Sequence, residues 1–237
     1  MPVALVDERI SERCEHGLLL RGFRVIKIKG YERLSEPVMS HPDMLIFKHN
    51  KTIISSCDYA EKFPYIFTDI RELCQGLSFR FTDDVPECEY PRDVLFNALV
   101  IKDKIFLRRE SISCEIIDYA VKAGLNVVEV NQGYPACVTL AFGNSAVTAD
   151  RGIAASFERE GISTTLIENR DISLPPYSYG FIGGASGVFK DTVYFLGDLN
   201  THRDSQKIKA AIERENMKYV SLSDEPLSDL GRIIFID

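Results

Sequence analysis

The stretch Tyr90-Pro91-Arg92-Asp93, followed by VLFNALVI (94–101), Lys102-Asp103 and KIFL (104–107), decides how this chain is read. A polar, proline-containing lead-in meets an aspartate, an apolar run, a two-residue turn and a second apolar run. Two short apolar runs around such a turn predict a β-hairpin. The phrase recurs. His41-Pro42-Asp43 leads into MLIFK, His49-Asn50 and KTIIS, while Tyr134-Pro135-Ala136-Cys137 leads into VTLAF, Gly143-Asn144 and SAVTA. Tyr179-Gly180-Phe181 leads into IGGASGVF, Lys190-Asp191 and TVYFL. The last copy, Leu227-Ser228-Asp229 into LGRIIFI, stops before its turn.

The aligned positions Asp43, Asp93, Cys137, Phe181 and Asp229 are 50, 44, 44 and 48 residues apart. Counted through the termini, Asp229 to Asp43 is 51. A mean period of about 47 lies in the range of repeat architectures. Pro2-Val3-Ala4-Leu5-Val6 supplies the strand that the fifth hairpin lacks, so the two termini are expected to meet and close a ring.

Between hairpins the period changes from strand-like to helical, as in Ile116, Ile117, Ala120 and Val121, and in Ile208, Ala211 and Ile212. Asp7, Thr68, Ser111 or Ser113, Thr148 or Asp150, and Asp204 are the expected N-caps. Gly22, Gly76, Gly124, Gly161 and Asn216 mark the helix ends. Each is followed by an apolar run: FRVIKI, LSFRF, LNVVEV, ISTTLI and MKYVSL. The expectation is an α+β fold, one domain over 1–237, of five β-β-α-β modules in a five-bladed α/β propeller with pseudo-fivefold symmetry, closed by the N-terminal strand. A doubly wound sheet also alternates helices and strands, but it does not require a hairpin in every period.

Composition narrows the function classes. With 28 Lys+Arg against 35 Asp+Glu the net charge is −7, which disfavours a broad nucleic-acid or anionic-membrane surface. No apolar run approaches the roughly 20 residues that span a bilayer, and MPVALVDERISERCEHG has carboxylates where a signal peptide needs a basic flank. Six cysteines without metal-type pairing read as reduced thiols, so a cytoplasmic protein without metal or cofactor is expected.

Five β-β-α-β modules about a pseudo-fivefold axis resemble the pentein fold of the guanidine-modifying enzymes. More narrowly, YGFIGGASG (179–187), FLGDL…H (195–202) and PLSDLGRIIFI (226–236) resemble an uncharacterised bacterial family assigned that fold. The resemblance implies guanidine chemistry. In the pentein enzymes the catalytic Cys lies in the last module and the His two modules earlier. This chain departs from that plan, because its last module carries Asp229-Leu230-Gly231-Arg232 and no Cys.

Residues at one repeat position should converge near the axis, which would gather Asp43, Asp93 and Asp229 around Cys137. Close acids raise one another's pKa or recruit a cation, and a planar guanidinium pairs with carboxylates through parallel hydrogen bonds. Capping of local turns, or pairing with Arg92 and Arg232, is the alternative for each Asp. Cys137 is the candidate nucleophile, with His41, two modules away, or His202 as its acid/base partner; an ordinary buried thiol is the alternative. Asn97, four residues past Asp93, is expected on the same strand face. Ser186, in Gly183-Gly184-Ala185-Ser186-Gly187, is a candidate donor, although that glycine run also suits close backbone approach. Arg232 completes the candidate binding set. Two functions follow: a hydrolase or transferase acting on a guanidino or amidino compound, or a non-catalytic pentein-fold binding or sensor protein. A small cationic ligand at the axis is expected for the enzyme or a sensor, whereas a binding module would use the ring or its flat faces for a macromolecular partner.

Overall fold

The computed structural model describes residues 1–237. Strands β1 (Val3–Asp7) and β2 (Arg24–Ile28) flank helix α1 (Glu12–Leu19). The first complete hairpin is β3 (Ile46–His49) and β4 (Thr52–Ser56), followed by two helices, Cys57–Lys62 and Pro64–Leu73, and by β5 (Ser78–Thr82). The next module contains β6 (Leu99–Ile101), β7 (Lys104–Leu107), the helix Cys114–Lys122 and β8 (Asn126–Glu129). Then come β9 (Thr139–Phe142), β10 (Ser145–Thr148), the helix Arg151–Arg159 and β11 (Ser163–Leu166). The fourth module has β12 (Ser186–Phe189), β13 (Thr192–Phe195), the helix Ser205–Arg214 and β14 (Lys218–Ser221), and the chain ends in β15 (Ile234–Ile236).

These strands form five separate three-stranded sheets, each an antiparallel hairpin extended by the parallel strand that follows the helix. A doubly wound sheet would have joined them. The fifth sheet is completed across the termini: Val3 pairs with Ile236 and Leu5 with Ile234, antiparallel, while β2 adds in parallel. The ring closes where the hairpin repeat requires it.

The hairpin turns work because Asn50, Lys102, Gly143 and Lys190 take positive φ, which matches the twist of the flanking strands. Gly22, Gly76, Gly124, Gly161 and Asn216 are left-handed at the helix ends, as expected. Ser113 and Asp150 cap their helices through side-chain oxygens. Two caps differ from expectation. Ser11 caps α1, while Asp7 belongs to β1 and binds Arg9; Thr68 lies inside a helix and donates to the Pro64 carbonyl. Each helix buries one apolar face, for example Ile153, Ala154 and Phe157. Neighbouring modules interlock through contacts such as Phe106–Phe157, with ring centroids 4.8 Å apart.

The lead-ins are not strands. Asp43 lies in a single helical turn, Pro42–Leu45, Asp93 in the 3-10 turn Arg92–Val94, and Cys137 in a turn closed by Val138 N–H to the Tyr134 carbonyl. Each turn precedes its inner strand and points its anchor residue inward. The lead-ins are stitched together: Asp43 N–H donates to the Gly231 carbonyl, and Gly184 N–H to that of Cys137.

Candidate functional site

The five lead-ins meet around one cavity of about 310 Å³. Its wall takes His41 and Met44 from the first, Asp93 from the second, Tyr134 and Cys137 from the third, Phe181 from the fourth and Asp229 from the last. Leu174 and Tyr177, from the connection before the fourth lead-in, and Tyr179, which opens that lead-in, also line it. The repeat therefore converges, and it delivers two carboxylates and a thiol into a mostly apolar, aromatic chamber.

Cys137 is buried, and its Sγ–H donates to Asp43 Oδ2 at 2.9 Å. Asn97 lies on the thiol's other side, with Nδ2 3.0 Å from Sγ and Oδ1 accepting the Ala136 N–H at 2.9 Å. Asn97 reaches this place from a turn rather than from a strand face. Burial pushes the thiol pKa well up, and the neighbouring Asp43 and Asp229 charges push it the same way. Without a ligand the sulfur therefore keeps its proton, held toward Asp43.

The three acids have distinct settings. Burial raises Asp43 to about 6, against the lowering effect of the Cys137 contact and of Arg232's charge. Asp229 rises to about 7 through burial, although Phe181 N–H and Gly231 N–H donate to its two oxygens at 2.8 and 3.1 Å. Asp93 is also raised by burial; the Tyr134 hydroxyl donates to its Oδ2 at 2.5 Å, and its Oδ1 has no partner. Asp43 Oδ1 is unpartnered as well. Asp43 sits behind the thiol, so the acids facing the cavity are Asp93 and Asp229.

Two glycines make this packing possible. A Cβ on Gly184 would lie 1.8 Å from Asp229 Oδ1, and one on Gly231 would lie 2.1 Å from His41 Cβ. The glycine run serves close approach. Ser186 is buried and donates to the Ile182 carbonyl at 2.7 Å, outside the cavity wall.

His41 lines the cavity without touching the thiol. Its Nδ1 is 4.0 Å from Asp229 Oδ1 and its Nε2 3.9 Å from Asp7 Oδ2, and Nε2 has no hydrogen-bond partner. Burial drives its pKa down to about 3, so it is neutral at physiological pH. His202 lies elsewhere: its Nδ1 accepts the Asp204 N–H at 3.0 Å, and it is absent from the wall that holds Cys137. Arg232 lines a different cavity, on the far side of Asp43. The structure thus groups Cys137, His41, Asp93 and Asp229 in the wall, with Asp43 and Asn97 behind them, and separates His202, Ser186 and Arg232. Sequence reasoning missed Tyr134, Tyr177 and Tyr179. Tyr134 and Tyr179 could have been found, because each opens its copy of the repeated phrase. No set of three or more His, Cys, Asp or Glu side chains is arranged to hold a metal ion.

A profile of the family of unknown function DUF6873 matches residues 5–234. The chain belongs to this family. No curated protein sequence matches it. Among solved structures, dimethylarginine dimethylaminohydrolase from Pseudomonas aeruginosa, as a Cys-to-Ser variant complexed with citrulline, is 10% identical with a TM-score of 0.59, covering 94% of this chain and 91% of that one. The N-terminal domain of ArgZ, an arginine dihydrolase from cyanobacteria, gives 12% identity and a TM-score of 0.54, covering 94% and 92%. SxtG, an amidinotransferase from Microseira wollei, gives 9% and 0.54, covering 88% and 72%. At these identities the likeness establishes the fold, which is the pentein fold. No helix is long and apolar enough to cross a membrane.

Proposed function

We propose that this protein binds a small guanidino or amidino cation in the thiol cavity and cleaves a C–N bond of it through Cys137. The observation that carries the reading is Asp93 Oδ1: a buried, unpartnered carboxylate oxygen in one wall with Asp229 and the Cys137 thiol. Leaving a buried acceptor unmade costs about 1–3 kcal/mol, and a guanidinium offers the missing donors in planar pairs. The fold likeness to enzymes of guanidino compounds supports this class of ligand.

The geometry supports the following roles. Asp93, oriented by Tyr134, and Asp229 hold the cation, while Asn97 fixes the sulfur. Asp43, already in contact with the thiol and raised to about 6, is a base matched to neutral pH. The arriving positive charge lowers the thiol pKa, so Asp43 takes the Sγ proton as the sulfur attacks the planar carbon. The C–N bond then breaks as Asp229, facing the cavity, passes a proton from a retained nitrogen to the leaving amine, while the thiol proton stays on Asp43. Water, or an acceptor amine, releases the product from sulfur.

A thermal-shift screen with arginine, agmatine and citrulline identifies the ligand, and amine release is then followed with it. Cys137→Ser is expected to abolish turnover while keeping binding, and Asp93→Asn to weaken binding at least tenfold. No response from arginine or agmatine would refute the cation site. The sensor reading has one observation in its favour, a protonated thiol that touches no imidazole. Tight binding with no turnover, unchanged in Cys137→Ser, would establish it instead.

A further inference from the structure

A second cavity, of about 300 Å³, lies on the far side of Asp43 from the thiol chamber. Strands β3, β12 and β15, β6 with the segment leading into it, and Ala136 build it, and the His49-Asn50 turn forms part of its wall. Its wall is mostly apolar, with Phe47, Phe96, Val188 and Phe235, but two cations enter it, Lys48 and Arg232. Both are half-buried. Neither side chain makes a hydrogen bond or an ion pair: the Lys48 pKa is pushed down by burial and by Arg232, and Arg232 is pushed down by burial.

This placement is held by the backbone. Arg232 has φ +73 directly after Gly231 at +67, a left-handed conformation that costs a non-glycine residue about 1–3 kcal/mol. Its N–H is fixed to the Gly184 carbonyl at 2.8 Å. Asp43 is the carboxylate that shares this wall, and it answers one of the two positive charges. His49 is engaged with the Tyr119 hydroxyl at 2.7 Å. Asp237 also acts on Lys48 from outside this wall, but no carboxylate pairs directly with either cation, so two sets of charged donors stand open in an apolar cavity where an anion can take them.

We propose that this second cavity is a binding site for an organic carboxylate, its carboxyl group held by Arg232 and Lys48 and its apolar body lying on Phe47, Phe96, Val188 and Phe235. Arg232 supplies the planar fork that matches a carboxylate, and Lys48 a point charge. The aromatic wall selects a ligand with an apolar body over inorganic phosphate. This site shares Asp43 with the thiol chemistry but none of the groups that hold the cation there.

The full chain is titrated with benzoate, butyrate, inorganic phosphate and butylamine by thermal shift and calorimetry. Benzoate and butyrate are expected to bind and to raise Tm, whereas phosphate and butylamine do not. Arg232→Asn, which tolerates the left-handed backbone, and Lys48→Met, which keeps the apolar stem, are each expected to weaken carboxylate binding at least tenfold. Each is also expected to raise the Tm of the free protein, because each removes an unpartnered charge. Asp93→Asn, which disables the thiol cavity, leaves carboxylate binding unchanged. The proposal is overturned if no carboxylate binds at millimolar concentration, if phosphate binds as well as benzoate, or if both cation variants bind like the parent. Loss of folding in Arg232→Asn overturns it too, since Arg232 would then be a structural counter-ion of Asp43.

Discussion

Asp43 and Asp229 carry the pH dependence of the thiol site. Burial raises them to about 6 and 7, above the usual carboxylate value near 4. The folded protein thus holds protons that the unfolded chain has released, and their stabilising contribution, complete below about pH 4, is lost as pH rises toward 7. His41, lowered to about 3, works in the opposite sense: its contribution is present above about pH 6.5 and is lost as pH falls toward 3. Cation binding follows the acids alone, because a guanidinium stays charged throughout and needs them ionised. Affinity for the identified cation is expected to rise at least tenfold from pH 5 to pH 8. Calorimetry in buffers of different ionisation enthalpy should show proton release on binding; a flat profile would exclude Asp229 as a ligand group. Gly184→Ala belongs to the same scale. Its Cβ would overlap Asp229 Oδ1, at a cost of about 1–3 kcal/mol, read as a lower Tm together with weaker cation binding.

Among the elements, the two acidic caps do different work. Asp150 accepts the Gly152 and Ile153 N–H groups at 2.7 and 2.9 Å, so Asp150→Ala should cost about 1 kcal/mol in chemical denaturation. Asp204 makes no side-chain cap bond to its helix; it accepts the Glu168 N–H at 2.7 Å and pairs with Lys207. Asp204→Ala should therefore loosen the connection after β11, seen as faster amide exchange at Glu168, more than it destabilises the helix. Both residues stood in the sequence as helix starts. Only the structure distinguishes them, because position relative to a helix is local while the Glu168 contact joins chain positions 36 residues apart.

For the molecule as a whole, closure is the decisive contact. Ile233, Ile234, Phe235 and Ile236 are all buried, and β15 pairs with β1. At about 1.5–3 kcal/mol per buried large apolar side chain, removing residues 233–237 forfeits about 6 kcal/mol or more, comparable to the whole stability of a domain. The truncated chain is expected to lose its cooperative transition in far-UV circular dichroism; retention of a native-like melt would show that the ring does not depend on closure.

The sequence by itself determined the modules, because hairpin turns, helix ends and the two hydrophobic periods are local properties of neighbouring residues. It also determined the ring, since five incomplete units at one period bury their faces only against each other. It placed Asp43, Asp93, Cys137 and Asp229 at one repeat position. What each of them faces was decided by tertiary structure alone. The lead-ins fold as turns and not strands, so Asp43 lies behind the thiol, Asn97 reaches it, and Arg232 turns into the opposite cavity. Such directions depend on the tilt of each turn against its neighbours, set by contacts such as Gly184 on Asp229 and Gly231 on His41, and no local pattern in the chain encodes them.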